Sequence, residues 1–453
     1  MSFLNTNVVS SKYFDEALGF LKEYQWIFNY PNTDILSKNI LDEIPSEWIA
    51  YFNNLSFSDF KDLALCKYKN DCPRSLVDYF EKVRSLNIQR NKRNPKPDEK
   101  RLRKNHRLSH KKHHEIISLA PLVAEFCAEA DTHQVIDIGA GLGYLSHMLA
   151  EDYNCSVLAI EGCPEKTELA LKAQMKHHTS TREHVTFYNH FITENSAVEL
   201  NEVVKKKFSN EKNISMCGLH ACADLSVTIL DLFLKMDRVK TLAIMPCCYH
   251  RMGLKETRDE REYFKCFPLS RTLKYEFDSH DASTYLRRPF LRLACQQTLI
   301  TFLEMSDEQH EEHARNFLMR AVLQKAADEA GCYVSRLKRK SGKSLNESDF
   351  SFYLKNFCKN YKLVPKNSGG ETELTNNFDV ERRITEIWEN NKDKFMLVEA
   401  LSALQNSIQS VCENILLQDR VQFLLENGVN CDIQKVTDDN ISPRCYALVA
   451  IKQ

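Results

Sequence analysis

Net charge is almost absent from this 453-residue chain, in which 61 Lys and Arg stand against 62 Asp and Glu. That balance removes any global electrostatic reason to expect a nucleic acid or a membrane surface as partner, so a basic footprint has to be local. Long apolar runs are missing too: charges interrupt every stretch well before the roughly 18 residues that a membrane helix needs. The opening Met-Ser-Phe-Leu-Asn-Thr has neither the basic nor the apolar region of a secretory signal, and no internal repeat is visible. Sixteen cysteines spread through a chain of this length are therefore read as reduced thiols rather than a disulfide framework. These absences lead to the expectation of a soluble protein of the cytoplasm or nucleus. What is present, 43% apolar residues, supplies core for two or three domains.

The pattern along the chain changes three times. In the first 85 or so residues apolar positions recur at three and four, as in Tyr13, Phe14, Ala17, Leu18 and Leu21, and this predicts helices. A basic run follows, from Arg90 through Lys92, Arg93, Lys96, Lys100, Arg101, Arg103, Lys104 and Arg107 to Lys111 and Lys112, with Pro95 and Pro97 marking its first half as linker. Short β-branched runs then alternate with helical segments, the pattern of a parallel sheet covered by helices. The expected strands are Val135–Ile138, Ser156–Ile160, Val185–Tyr188, Ile214–Leu219 and Thr241–Met245. Roughly 140 charged, helix-rich residues intervene, with a loop-like stretch at Lys366–Glu371. A long amphipathic helix from Lys394 then leads to Asn427-Gly428, and two strands, Cys431–Val436 and Tyr446–Ile451, form a hairpin across Asp438-Asp439-Asn440.

The run Asp137-Ile138-Gly139-Ala140-Gly141-Leu142-Gly143 ends the first strand and opens a helix. Its alternating glycines allow a sharp turn and let a ligand approach the backbone. A dinucleotide fingerprint would need glycine at position 144, which is Tyr144, so a nicotinamide cofactor is disfavoured. A sulfonium cofactor, S-adenosylmethionine, needs the close approach and has no phosphate to place at a helix start. Glu161 ends the second strand, where a carboxylate can accept hydrogen bonds from both ribose hydroxyls. Asp137, Gly139, Ala140, Gly141, Gly143 and Glu161 are thus the candidate cofactor residues. Lys112 and His114, just ahead of the helix leading into the first strand, are candidates for the cofactor's carboxylate; a solvated charged face is the alternative.

Ligands of open α/β sheets bind outside the carboxyl ends of the strands. After strand four come Gly218-Leu219-His220-Ala221-Cys222-Ala223-Asp224, and after strand five Pro246-Cys247-Cys248-Tyr249-His250. His220 or Asp224 is a candidate base for the attacking acceptor atom, with Cys248, and with Tyr249 or His250 to orient the acceptor. Methyl transfer needs chiefly in-line positioning and a deprotonated nucleophile. Zinc at these cysteines and histidines is weighed and set aside, because adjacent Cys247-Cys248 departs from the C-x-x-C spacing; no metal is expected. Burial as small hydrophobes is the alternative for Cys217, Cys222 and Cys247.

With these motifs in place, the chain resembles the methyltransferase-like family named after a ribosomal RNA adenine dimethylase domain. The likeness rests on Lys111-Lys112-His113-His114-Glu115, Asp137 to Ser146, Gly218 to Ser226, Pro246 to His250, the stretch Asp419 to Leu424 and Ser442-Pro443-Arg444. The strand-four and strand-five motifs are also similar to those of eukaryotic tRNA 2'-O-methyltransferases. The resemblance implies a cofactor-dependent methyltransferase, with RNA among its acceptors. Two departures stand out. Leu219-His220-Ala221-Cys222 replaces the Asn-Leu-Pro-Tyr-like motif of true adenine dimethylases, so adenine dimethylation is not supported. Ala223 stands where the resemblance implies glycine, which matters if the backbone there has positive φ.

The expectation is an α/β, Rossmann-like class I methyltransferase sheet of seven strands, the last antiparallel. Its segments are an N-terminal helical domain (1–88), a basic linker (89–110), the first part of the methyltransferase domain (111–250), a helical insertion (251–393), and the closing helix with strands six and seven (394–453). The methyl acceptor is unassigned: the basic linker can release counterions from RNA phosphates, while a protein or small-molecule acceptor stays open. The rival reading is a methyltransferase-fold protein that binds without catalysis.

Overall fold

The computed structural model describes residues 11–88, 90, 108–208, 213–257, 261–296, 299–336, 350, 354, 361–366 and 378–452. Its chain divides into two compact units, one from Met1–Gly19, Asn87–Thr298 and Val411–Gln453, the other from Phe20–Leu86 and Leu299–Ser410.

The first unit holds the sheet. Strands β1 (Gln134–Ile138), β2 (Ser156–Glu161), β3 (Val185–Asn189), β4 (Ile214–Cys222) and β5 (Val239–Cys247) arise where β-branched and aliphatic runs lie between helices. In the second unit, β6 (Cys332–Arg336) and β7 (Tyr361–Pro365) pair antiparallel, and the chain then returns to the sheet with β8 (Asn430–Lys435) and β9 (Tyr446–Ile451). The seven-stranded order is β3-β2-β1-β4-β5-β9-β8. Strands β1 to β5 pair parallel, and β9 pairs antiparallel to both β5 and β8. This is the class I methyltransferase arrangement, with its last strand hairpinned in between the fifth and sixth.

Side chains alternate across a strand, so each strand feeds two cores. Val135, Val157, Ala159 and Val449 pack on one face with Ile116, Leu119 and Val123 of the helix His110–Glu129 and Leu145 and Leu149 of the helix Tyr144–Tyr153. Ile136, Ile138, Leu158, Ile160 and Leu448 pack on the other with Leu200 and Val204 of Ala197–Lys207, Ile229 and Phe233 of Asp224–Lys235, and Leu417, Val421 and Leu424. Each valine, leucine, isoleucine or phenylalanine among them contributes about 1.5–3 kcal/mol on leaving water. With both faces covered, the strands read as continuous apolar runs, and only their ends carry polar chemistry.

Helices dominate the described part of the second unit. Trp48, Phe52, Phe60, Tyr79, Leu318, Val322 and Leu404 are buried there, and Trp48 Nε1 donates to Ser75 Oγ at 2.8 Å. All fifteen cysteines among the described residues are free thiols. No helix among them is long and apolar enough to cross a membrane.

Two expectations need correction. The insertion is not purely helical: Gly331 ends the helix Asp307–Glu329 at φ +66°, and the alternating Cys332-Tyr333-Val334 then enters the β6–β7 ribbon. Nor does it form one body, since residues up to Thr298 belong with the sheet and Phe20–Leu86 belongs with the later helices. Of the basic linker, Arg90 and the last residues before the helix are described, while positions 91–107 lie outside the described residues, as does most of the loop-like stretch after Lys366. Arg90 serves the fold: its guanidinium lies 5.1 Å from the Tyr446 ring centre and donates to the Asn414 side chain.

Candidate functional site

The glycine loop is held by backbone bonds to β2. Gly139 and Ala140 N–H both donate to the Ile160 carbonyl, at 2.9 and 3.0 Å, and Gly143 N–H closes the turn onto the Ala140 carbonyl at 2.9 Å. Gly139, Gly141 and Gly143 adopt φ +73°, +60° and +77°, where a side chain is strained. Their surroundings differ in a way that separates function from packing. A Cβ built on Gly143 comes 2.8 Å from Cε1 of Phe187, with Cζ closer still, whereas one built on Gly141 meets no heavy atom within 4 Å. At Gly143 the tip of the Phe187 ring occupies the place of a side chain and would have to shift to admit one. Gly141 faces open space.

Glu161 is buried at the end of β2, and its two oxygens accept from the N–H groups of Gly141 (2.9 Å) and Cys163 (3.0 Å). A carboxylate offers about four acceptor positions, so two are left for hydroxyl donors. Asp137 lies deeper: Ser146 Oγ donates to it at 2.6 Å, and burial raises its carboxyl to about 6 even though the Ser146 and Cys217 side chains oppose that shift. It supports the loop from beneath.

Lys112, His114 and Glu115 come from one helix, capped by Ser109 Oγ, which accepts from Lys112 N–H at 3.3 Å. Positions i and i+2 point to different faces of a helix, and the two expected carboxylate ligands part accordingly. Lys112 Nζ sits 5.0 Å from the ring centre of Tyr144, directly beside Gly143, and burial lowers its pKa. His114 Nε2 instead accepts from Asp438 N–H at 3.0 Å. Lys112 is therefore the neighbour of the loop, and His114 fastens the β8–β9 hairpin.

Glu115 follows His114 on the same helix. The structure places it 1% exposed, accepting from Ser442 Oγ at 2.6 Å and lying 3.3 Å from Nε2 of His220, whose side chain is 39% exposed. Burial alone would raise the Glu115 carboxyl, but the His220 and Ser442 hydrogen bonds hold it below the ordinary range. A base oriented by a buried carboxylate, with the carboxylate in turn held by a hydroxyl, is a recurrent catalytic arrangement. The signal in the sequence was faint: Glu115 and Ser442 are 327 positions apart.

The other strand-end candidates diverge. Cys222 and Cys247 are register partners on β4 and β5, with sulfurs 3.1 Å apart, and Cys248 lies beside them. Hydrogen bonds from Cys247, above all, and from Cys248 outweigh burial and bring the Cys222 thiol down to about 6. Asp224 opens its helix and accepts from Gly253 N–H at 2.8 Å, with the Cys266 thiol also beside it. Tyr249 is buried, with the Arg420 guanidinium 5.4 Å from its ring centre. His250 Nδ1 lies 3.1 Å from Cys295 Sγ, and its carbonyl accepts from Arg288. Burial, with Arg292, Arg251, Arg444 and Arg288 nearby, pushes the His250 pKa down. His220, Cys222 and Cys248 thus keep partial exposure at the strand ends, whereas Tyr249 and one oxygen of Asp224 are spent on the fold.

Residues 111–255 match the family model of a methyltransferase domain. Over this segment the chain is similar to methyltransferase domains. Among curated proteins the chain is 28% identical over 272 residues to the human probable methyltransferase-like protein 25, and 28% identical over 275 residues to the mouse protein of that name. Each match covers 58% of this chain and 40% of the relative, so well under half of those proteins is represented. A solved coclaurine N-methyltransferase shows 11% identity and a TM-score of 0.24 over 89% of this chain and 97% of its own, a level that carries no argument.

Proposed function

We propose that this chain is an S-adenosylmethionine-dependent methyltransferase, with RNA (tRNA or rRNA) as the favoured acceptor class. One observation carries the reading: the Glu161 carboxylate at the end of β2 is fastened to Gly141 N–H, beside the one loop glycine that faces open space. The donor set fits a ribosyl sulfonium, with carboxylate acceptors left for two hydroxyls, backbone free of side chains, and Lys112 beside the loop for an anionic group. S-adenosylmethionine, when bound, supplies an electrophilic methyl group.

The protein's own contribution is to hold and exclude. Gly139 to Gly143 give close backbone approach, and Ala140 N–H is tied to β2 so that the loop keeps its shape. Asp137 supports that loop through Ser146. On the acceptor side, His220 takes the proton of the attacking group, and Glu115 holds its ring by the contact at Nε2. Cys248 stands at the same strand ends, and four arginines, Arg292, Arg251, Arg444 and Arg288, lie near His250. RNA is supported by the basic run through positions 91–107 and by the likeness of the strand-end motifs to tRNA enzymes.

Calorimetric titration of the full chain with S-adenosylmethionine and S-adenosylhomocysteine tests the cofactor half, with Glu161→Ala alongside. Saturable binding weakened at least tenfold in the variant is expected. Absence of binding by folded protein would sink the reading in favour of a non-catalytic binding role. Transfer of labelled methyl groups to total tRNA and rRNA tests the acceptor.

A further inference from the structure

We propose that Cys222, Cys247 and Cys248 form a zinc site at the carboxyl ends of β4 and β5, with one coordination position left open. Their three sulfurs lie within 4.8 Å of one another, and those of Cys222 and Cys247 are 3.1 Å apart. Tetrahedral zinc with Zn–S bonds near 2.3 Å requires sulfurs about 3.8 Å apart, a separation that lies inside this cluster's 4.8 Å span.

Adjacent cysteines ordinarily point to opposite faces of a strand, which is why the Cys247-Cys248 pair reads poorly as a ligand pair in sequence. The backbone removes that objection. Strand β5 ends at Cys247, and Cys248 takes the left-handed conformation, φ +53° and ψ +40°, which returns its sulfur to the side of Cys247. A non-glycine residue held in that region is uncommon. The β4–β5 register supplies the third ligand, because Cys222 is the cross-strand partner of Cys247.

Charge supports the assignment. Three thiolates around a dication leave one net negative charge, and Arg444 lies within electrostatic reach of both Cys247 and Cys248. Three protein ligands with an open fourth position is the pattern of sites that bind water or a substrate atom, whereas purely structural zinc is closed by four.

The test uses the full chain purified under reductant with no cofactor added, so that it is independent of the methyltransferase reading. Elemental analysis after dialysis should find about one equivalent of zinc, and cobalt substitution should give thiolate-to-metal charge-transfer absorption with tetrahedral visible bands. Cys222→Ser, Cys247→Ser and Cys248→Ser should each weaken zinc retention against a chromophoric chelator by tenfold or more, and Cys72→Ser should leave it unchanged. The cobalt spectrum of the unmodified chain answers the question even if a serine variant fails to fold. Folded protein that takes up neither metal, or variants that retain zinc equally, would overturn the site, as would a Cys222–Cys247 disulfide in the reduced preparation.

Discussion

Replacing Ala223 with glycine should stabilise the sheet-bearing unit. Ala223 joins β4 to the helix Asp224–Lys235 at φ +50° and ψ −123°, a conformation that L-residues rarely adopt. Three hydrogen bonds pin it there: its N–H donates to the Cys247 carbonyl at 2.8 Å, and its own carbonyl accepts from Ser226 N–H at 3.3 Å and Ser226 Oγ at 2.8 Å. Strain of this kind costs roughly 1–3 kcal/mol. Glycine removes that cost but gives back about 0.5–1 kcal/mol through its freer unfolded chain. The net expectation for Ala223→Gly is a gain of about 1 kcal/mol. Tryptophan fluorescence is the wrong probe, because Trp26, Trp48 and Trp388 all belong to the other unit. Native-state hydrogen exchange at the β4 and β5 amides reads the correct unit, where about 1 kcal/mol slows global-opening exchange about fivefold. Unchanged or faster exchange at those amides would refute the strain at Ala223.

Gly143→Ala and Gly141→Ala should separate packing from binding: the first, forced against Phe187, loses about 2–4 kcal/mol of stability, while the second loses only about 1–2 kcal/mol but weakens S-adenosylmethionine binding in calorimetry. Equal stability losses, or unimpaired binding by Gly141→Ala, would contradict this. Glu115→Gln should lower kcat by about tenfold or more with little change in cofactor affinity, and Glu115→Asp should recover part of the loss; a parallel fall in affinity and melting temperature would make Glu115 merely structural. Asp137 provides a pH test. Its carboxyl rises from 3.8 to about 6 on burial, so the folded state binds the extra proton between those values and stability falls as pH rises through that window, by up to roughly 3 kcal/mol. His147 works in the opposite direction. Burial, with His178 beside it, lowers it from 6.5 to about 3, so its contribution is complete above 6.5 and is lost as pH falls toward 3. Urea midpoints of Asp137→Asn between pH 4 and 6 should therefore lack a downward component present in the unmodified chain, and identical slopes would exclude it.

The strands were legible because burial on both faces writes itself as apolar runs. The structure puts β1, β2 and β3 within a residue of their expected bounds, extends β4 by three residues into its polar motif, and extends β5 by two at its start and two into its polar motif. The glycine loop was legible for a similar reason, since positive φ selects residue type locally. The β6–β7 ribbon was not, because two five-residue strands in charged surroundings leave too short a period to separate from helix. The allocation of Phe20–Leu86 to the later helices was equally hidden, since helical periodicity says which face is apolar and not what covers it.

The two halves of the site are built by different means, and this decides how each responds to substitution. The proposed cofactor half is short-range: Gly139 to Gly143, Glu161 and Cys163 are joined largely through backbone N–H groups over about two dozen positions. Side-chain changes there act mainly through Glu161 or through added bulk at a glycine. The proposed acceptor half draws on four separate stretches, with Glu115 touching His220 and Ser442 by side chains and Cys222 clustered with Cys247 and Cys248. Removing Ser442 Oγ leaves the buried Glu115 with one partner fewer, and an incompletely satisfied buried carboxylate costs more than the lost bond itself. Ser442→Ala should therefore reproduce a weakened form of the Glu115→Gln defect, and combining the two should add little, because both act through the ring of His220. Fully additive losses in kcat would mean that Ser442 and Glu115 do not work through one contact.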